Sequence, residues 1–548
     1  MPALDELRRR LAKVPFLCVV WLASYAWFAA LAVRIPLDED EGFYALASEL
    51  VAHGRLPYRD FFFPQTPLGP FSLAPFAAVS ARFLTLRLAT ALFAAGASTL
   101  VAHAVRRETR SRSAAAVAAV LFATHALTWR WLPTLRPYAL GELCALGGFV
   151  LATPIGRDPR RRELVLAGAL AVLAPLARLP LAPTVGVVAL AVLLRGASQI
   201  YYRGALAGLL VAFGAGVTKH PVAGAALLTV LACVTVVARR GGLAALRRLG
   251  WFALGGAFVA LLVLAPFALL AREGLRFGVL DYHALSSALV GWPRSKPLIM
   301  ASIGGGAVEQ LSGMGTQNVL LVLACLAALT LRRAELRLAS LTGAAVIVVG
   351  SARHEPVLEH YLTPIVPYLA IGAGVAFGSF QRLARGRLLR PRVAVFGGAL
   401  VLFLAATAAS FDRTWRVGMM GPWDFASARP APTDAALDAV KAALRDHPGA
   451  LLAYWPGTGL GSATRLVPGY ENQFTRLVAA QKPTEARSRL HLTTEDDLTT
   501  EVMLREPSVV VVDRGVGGSL DAFLTVLALA RYEKQATVGT STIYVRAP

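Results

Sequence analysis

The chain is short of acid. Its 548 residues hold 33 aspartates and glutamates against 55 lysines and arginines, a net charge of +22. Charge of either sign is scarce at 16% of residues, while 56% are hydrophobic. A soluble protein of this size carries far more charge, so a soluble globular class is excluded. Cysteine is rare as well. Cys18, Cys144, Cys233 and Cys325 each lie inside an apolar run, with no metal-ligand spacing and no pairing in a polar segment. That argues against a disulfide framework or a zinc module and leaves small buried hydrophobes. The outer histidines, His53, His220, His283, His354 and His360, are scattered, with no HxxxH-type pair. No metal site is indicated and no cofactor is required, although a divalent cation stays open. No Walker A motif is present, which argues against ATP-driven pumping. No GxSxG stands in a strand–turn–helix setting.

What is present is a recurring apolar run of roughly 15–22 residues, the length that crosses a bilayer as helix. Crossings are expected at 14–35, 84–105, 114–131, 135–153, 164–177, 181–194, 205–217, 222–237, 251–270, 319–331, 338–350, 362–380 and 393–411, about thirteen in all. The first is too long for a cleaved leader and lacks a cleavage site. With Arg8, Arg9, Arg10 and Lys13 inside, every later arginine cluster falls on the same, cytoplasmic side. The positive charge is therefore read as topogenic, with a surplus for anionic lipid headgroups, and not as a nucleic-acid surface. The expected fold is a mainly α, polytopic membrane bundle.

Directly after the first run stand four consecutive acids, Asp38, Glu39, Asp40 and Glu41. Carboxylates side by side repel and raise one another's pKa. Either the run is a solvated topogenic linker, or one of the acids works at the membrane surface as a base or an acceptor-positioning group. Residues 40–52 read as an interfacial helix, with Phe43, Leu46, Ala47 and Leu50 as its apolar stripe and Tyr44 one turn after Asp40. Pro57, Pro64, Pro67 and Pro70 then break the chain, and 71–80 reads as a second interfacial helix, too short to cross. The first outer loop thus spans 36–83.

After residue 411 the composition turns polar. Residues 412–548 read as a small α/β domain outside the membrane, following a membrane domain of 1–411. Its expected elements are a helix at 433–444, strands at 450–454 and 508–513, a helix at 520–530 and a strand at 541–546. Gly457, Gly459 and Gly461 read as a glycine-rich surface loop, because no helix with a suitable acid follows to make a phosphate turn.

An outward-facing carboxylate plus cations suits displacement of a phosphate-linked group. Asp40 or Glu41 would accept a proton. Arg136, Arg178, Lys219, Arg294, Lys296, Arg353 and His360 are the cations expected at the same level, and arginine's planar fork matches phosphate. Each alone is also compatible with a helix-end residue snorkelling to the interface. Outside the cell there is no pool of nucleotide sugars, so a transferase there takes its donor from the membrane, which favours a lipid phosphate.

Asp40-Glu41-x-x-Tyr44, followed by Ala47, Gly54, Pro57-Tyr58, Asp60-Phe61 and Pro67-Leu68, resembles the first outer loop of the GT-C glycosyltransferases. The similar branch is the bacterial one that includes protein O-mannosyltransferases, the lipid A aminoarabinose transferase and rhizobial lipopolysaccharide-core transferases. Arg136-Pro137-Tyr138 and His360-Tyr361-x-x-Pro364-x-x-Pro367 are similar too, and the likeness covers about residues 14–411. It implies a GT-C bundle in a bacterial inner membrane, with a cytoplasmic N-terminus and a periplasmic C-terminal domain. It also implies inverting transfer of a sugar from a polyprenyl-phosphate donor to a lipid, glycan or protein acceptor. Asp40 would be the base and Glu41 the acceptor-orienting acid. Tyr44, Tyr58, Asp60, Gln65, Arg136, Tyr138, His360 and Tyr361 would line the substrates. Gln65-Thr66 stands where the family often has lysine or histidine, and His360 where it often has arginine. The alternatives are a flippase for lipid-linked saccharides and an inactive assembly partner.

Overall fold

The structure is a computed structural model that describes residues 15–35, 37–195, 222–290, 317–318, 320–324, 335–351, 359–384, 398, 431–504, 506–513 and 520–547. The expectations for Lys219, Arg294, Lys296, Arg353 and the crossings at 205–217 and 393–411 lie outside the described residues.

Helix α1 (Phe16–Arg34) begins directly after Pro15. The acid run that follows is a helix start. Asp38 is the N-cap of α2 (Glu39–Ala52), its Oδ1 accepting the Asp40 N–H at 3.0 Å. Glu41 Oε1 accepts the Asp38 N–H at 3.0 Å and completes a capping box. Glu39, Asp40 and Glu41 occupy the first turn, at the positive end of the helix dipole. The local backbone thus gives the clustered acids a physical reason to be there. After the proline-broken loop come α3 (Leu68–Val79) and α4 (Phe83–Thr109), both packed against this region.

The expected crossing at 114–131 is two helices, α5 (Arg112–Ala123) and α6 (Ala126–Trp131). The break lies at Thr124–His125, where His125 turns to extended backbone and its Nδ1 accepts the Leu127 N–H at 3.2 Å. Next come α7 (Tyr138–Ala152), α8 (Arg161–Ala177) and α9 (Pro183–Leu193). Helix α10 (Val222–Leu270) departs from expectation: one unbroken helix replaces the two crossings at 222–237 and 251–270. The intervening Arg239–Arg248 segment is rich in alanine, leucine and arginine, all strong helix formers, and its two glycines do not suffice to end the helix. Helices α8 and α10 cross closely: a Cβ on Gly168 would lie 1.8 Å from the Phe252 carbonyl oxygen. The bundle continues with the short α11 (Arg272–Arg276), α12 (Tyr282–Val290), α13 (Glu335–Ser351) and α14 (Ile365–Ala384).

Among the described residues three helices are long and apolar enough to cross a membrane: Phe16–Arg34, Phe83–Thr109 and Leu243–Leu270. Several other expected crossings appear as shorter apolar helices. Cys144 is buried as expected, whereas Cys18 is exposed on α1 and not buried.

The C-terminal unit is α/β. It runs through α15 (Ala431–Asp446), β1 (Ala450–Ala453), α16 (Thr475–Ala479), α17 (Thr484–Leu490), α18 (Glu495–Met503), β2 (Pro507–Asp513), α19 (Leu520–Leu529), β3 (Tyr532–Val538) and β4 (Ser541–Arg546). The sheet order is β1-β2-β4-β3, with β1 and β2 parallel and the other pairs antiparallel. Strand β3, unmarked in the sequence, is a polar edge strand whose side chains are mostly exposed. Residues of this unit and of the first outer loop share one apolar core: Phe43, Leu46, Leu50 and Phe83 pack with Leu437, Val440, Val509 and Ile543.

The glycine segment 457–461 is no surface loop. Gly457 and Gly459 are buried, and the segment is docked on α2. The Gly461 N–H reaches Glu49 Oε2 at 2.6 Å and the Ala463 N–H reaches Glu49 Oε1 at 3.4 Å. The backbone donors that might cradle a phosphate hold this chain's own carboxylate. Trp455 lies across Gly42 and donates Nε1–H to the Glu39 carbonyl at 2.9 Å. Gly42 is required there, because a Cβ would stand 2.6 Å from the indole and 2.8 Å from the Gly457 nitrogen.

Gly42→Ala is a direct test of this docking. The isolated helix would gain about 1 kcal/mol from alanine. Overpacking against a ring and backbone costs about 1–3 kcal/mol, so the variant is expected to be less stable. Limited proteolysis should cut the α/β unit faster, with a lower unfolding temperature. Unchanged proteolysis and unfolding would contradict the docking.

Candidate active site

The site is built around one buried ion pair. Glu41 and Arg87 are both fully buried, and Arg87 Nε donates to Glu41 Oε2 at 2.8 Å while Nη2 donates to Oε1. Glu41 also accepts the Leu135 N–H at 3.0 Å, besides the Asp38 N–H of the capping box. Arg87 Nη1 donates to the Ala32 and Ile35 carbonyls at 3.0 and 2.5 Å, the exposed acceptors at the end of α1. One carboxylate and one guanidinium therefore tie together the end of α1, the start of α2, the body of α4 and the loop before α7. Both Glu41 oxygens are consumed, so this side chain fixes the backbone beside Asp40 and presents no free oxygen to a substrate.

Arg136, in the loop that Glu41 anchors, faces two more acids of the run, Asp38 and Asp40. Its Nη2 lies 2.9 Å from Asp40 Oδ2 and 2.5 Å from Asp38 Oδ1. The guanidinium stacks over the Trp131 ring, 4.9 Å from its centroid, and sits 3.3 Å from His360 Nε2. One cation is shared between two carboxylates. Burial raises Asp38, but the charge and hydrogen bond of Arg136 outweigh it and hold that carboxyl below its ordinary value. At Asp40 burial wins over Arg136, and Asp38 adds repulsion, so its carboxyl is held above its ordinary 3.8. Two neighbouring acids pushed apart in this way have different work: Asp38 stays ionised as the partner of Arg136, and Asp40 is the more basic. Glu39 points outward, raised by burial and by the Asp40 and Asp38 charges.

Arg178 closes the other side. It follows α8 directly and is buried. Its Nη1 donates to the Tyr44 hydroxyl at 2.7 Å, and the guanidinium lies over the Tyr138 ring at 4.4 Å. His360 packs among Trp131, Tyr138 and Tyr361. Burial, followed by the charges of Arg136, Arg178 and Arg130, holds the imidazole well below its ordinary value. It is therefore neutral at physiological pH and adds no positive charge. Four buried donors around this centre have no acceptor among the described residues: Arg178 Nε, Arg136 Nε, the Tyr138 hydroxyl and Trp131 Nε1. Unsatisfied buried donors are costly, and these four belong to residues packed on one another and on His360. An oxygen-rich anion would satisfy them. Among the described residues no three histidine, cysteine or acidic side chains are grouped to hold a metal.

Of the residues singled out in the sequence, Asp40, Tyr44, Arg136, Tyr138, Arg178, His360 and Tyr361 come together, and Glu41 stands directly behind them. Three do not join. Tyr58 adopts a left-handed backbone (φ 67°) and packs edge-on against Phe63 and Phe267, its hydroxyl donating to the Gln65 carbonyl at 2.5 Å. Asp60 caps its own turn, accepting from the Leu56 N–H at 2.7 Å and pairing with Arg59. Gln65 is a member of that same loop, and Thr66 beside it donates to the Pro175 carbonyl at 2.8 Å. The Tyr58 and Asp60 side chains shape the loop instead of lining the centre, and the buried Gln65 Oε1 accepts no hydrogen bond from the described residues. The sequence reading missed Arg87, although a lone arginine inside an apolar run is a signal in itself. It also missed Trp131, Trp455 and Gln473, for which no local pattern existed.

No family model matches this sequence, and no curated protein matches it significantly. Solved structures do. ArnT from Cupriavidus metallidurans bound to undecaprenyl phosphate superposes with a TM-score of 0.59 at 17% identity, covering 97% of both chains. The same enzyme in its apo state gives 0.57 at 18% identity, again over 97% of both. At this identity the likeness is one of fold: the chain shares the overall architecture of ArnT over 97% of its length.

The ion pair makes a prediction of its own. Glu41→Leu leaves the buried Arg87 charge without its carboxylate, which costs about 3–5 kcal/mol. Adding Arg87→Met should recover much of the loss, because an apolar pair of similar volume is tolerated. Thermal unfolding of the single and double variants measures this. A single variant as stable as the parent would refute the central role of the pair.

Proposed function

We propose that this protein is an integral membrane glycosyltransferase that moves a sugar from a polyprenyl-phosphate donor to an acceptor at the extracytoplasmic face. The observation that carries the reading is the juxtaposition of a basic carboxylate, Asp40, with a set of unsatisfied buried donors centred on Arg178. The fold supports it, since ArnT, of the same architecture, has been solved with undecaprenyl phosphate bound. The arginine clusters support a reading in which the first outer loop lies opposite the cytoplasm, in the envelope of a bacterial cell.

In this reading Asp40 takes the proton of an acceptor hydroxyl as that oxygen bonds to the anomeric carbon. The bond from the anomeric carbon to the phosphate oxygen breaks on the opposite face, with inversion, and polyprenyl phosphate leaves. Its developing charge meets Arg178 Nε and the Tyr138 hydroxyl, which are already in place and otherwise unpaired. Arg136 acts differently. Committed to Asp38 and Asp40, it holds the base in position, and Asp38 keeps that guanidinium from fully neutralising Asp40. Glu41 positions Asp40 through the backbone. The sugar, the acceptor and the chain length of the carrier are properties of surfaces beyond this centre.

Asp40→Asn tests the base. Transfer from a labelled polyprenyl-phosphate sugar should fall by roughly 10²–10⁴-fold, the usual contribution of general base catalysis. In the parent, transfer should fall as pH drops through a pKa above the ordinary 3.8, because only ionised Asp40 accepts a proton. Undiminished transfer by the variant rules out Asp40 as the base. Arg178→Met tests the phosphate site separately. Binding of undecaprenyl phosphate in nanodiscs should weaken roughly 10- to 100-fold, the worth of a charged hydrogen bond. Equal affinity would place the phosphate elsewhere.

A further inference from the structure

The seam between α2 and the α/β unit carries a second set of unsatisfied groups. Gln473 is 7% exposed. Its Nε2 donates to the Glu39 carbonyl at 3.2 Å, which fixes the amide beside the first turn of α2. The amide oxygen, Oε1, is buried and has no donor among the described residues. The preceding residue, Asn472, is 2% exposed; its Oδ1 accepts the Phe474 N–H, while its Nδ2 is buried without an acceptor among the described residues. The Glu39 carboxylate, on the residue to which Gln473 is bonded and next to Asp40, makes no hydrogen bond or ion pair among the described residues. The seam is held firmly. Trp455 donates to the same Glu39 carbonyl, Arg55 pairs with the buried Glu471 at 3.0 Å, and Arg476 braces the turn by donating to the Gln473 carbonyl.

These groups select a ligand chemistry. Gln473 Oε1 and the Glu39 carboxylate are acceptors only, so a phosphate or carboxylate is repelled there. Asn472 Nδ2 is a donor only, and an ammonium would leave it unmatched. A hydroxyl both donates and accepts, and neighbouring hydroxyls of a sugar meet an amide oxygen, a carboxylate and an amide N–H together.

We propose that Gln473, with Glu39 and Asn472, forms an acceptor subsite for sugar hydroxyls, so that the α/β unit selects a glycan-bearing acceptor and presents it to Asp40. This rests on the transferase reading above and names the acceptor class for the same site. Gln473 is a binding and specificity residue; the proton still goes to Asp40.

The test uses the full chain in nanodiscs without donor lipid, so it needs no turnover and stands or falls apart from the assignment of the base. Saturation-transfer NMR is recorded with methyl glucoside, ethanolamine and inorganic phosphate as separate probes. Methyl glucoside should bind the parent, and Gln473→Leu should weaken it about fivefold, the worth of one neutral hydrogen bond. Glu485→Gln, at an exposed position of α17 outside the subsite, should retain binding and serves as the folded control. Ethanolamine and phosphate should show no dependence on residue 473. Equal methyl glucoside binding in the parent and Gln473→Leu overturns the proposal. So does a signal from ethanolamine or phosphate that depends on Gln473 more strongly than that of methyl glucoside.

Discussion

Glu41 and Arg87 meet where neither has access to water, and that contact sets the cost of every alternative arrangement around it. Two charges cannot be buried in an apolar bundle unless their remaining donors and acceptors are matched. Here they are matched by backbone: the Asp38 and Leu135 N–H groups on the glutamate, and the Ala32 and Ile35 carbonyls on the arginine. Because those backbone groups belong to three separate segments and Arg87 itself to a fourth, satisfying the pair fixes the segments relative to one another. The start of α2 cannot shift without leaving a buried charge exposed to hydrocarbon or to nothing.

From that constraint the division of labour among the acids follows. Glu41 is spent on structure. Asp38 caps α2 and pairs with Arg136. Asp40, crowded by Asp38 and only half compensated, is the one whose proton affinity rises. The Nη2 of Arg136 is likewise spent on Asp38 and Asp40, whereas Arg178 pairs with no carboxylate and keeps an unused Nε among the described residues. The α/β unit completes the arrangement from outside, clamping the first turn of α2 with Trp455 and Gln473 and sharing the apolar core beneath it. Remote parts of the chain thus converge on a single helical turn.

Much of this was legible from one-dimensional information. Alternation of apolar runs and arginine clusters exposes a membrane bundle, because bilayer thickness and charge asymmetry act on short segments. The helices at 39–52 and 68–79 and most elements of the α/β unit announce themselves by local periodicity. What the sequence hides is pairing at a distance. Arg136 looked like a phosphate ligand because nothing in its neighbourhood reveals that Asp38 and Asp40 lie against it. Glu41 looked like a chemical acid because Arg87 is far along the chain. Tyr58 and Asp60 match a family pattern, yet their side chains close a loop, a purpose that needs the same residue types. The joined helix Val222–Leu270 shows the complementary limit: an arginine cluster marks a side of the membrane but does not by itself end a helix.

The most direct measurement is a cryo-electron microscopy map of the protein in lipid nanodiscs with undecaprenyl phosphate added. The account places the phosphate density within hydrogen-bonding reach of Arg178 and the Tyr138 hydroxyl, on the same side of the membrane as Asp40 and beside its carboxylate. Density bound instead among the arginine clusters at the opposite ends of the helices, or an Asp40 turned away from the phosphate and separated from it by packed side chains, would contradict it.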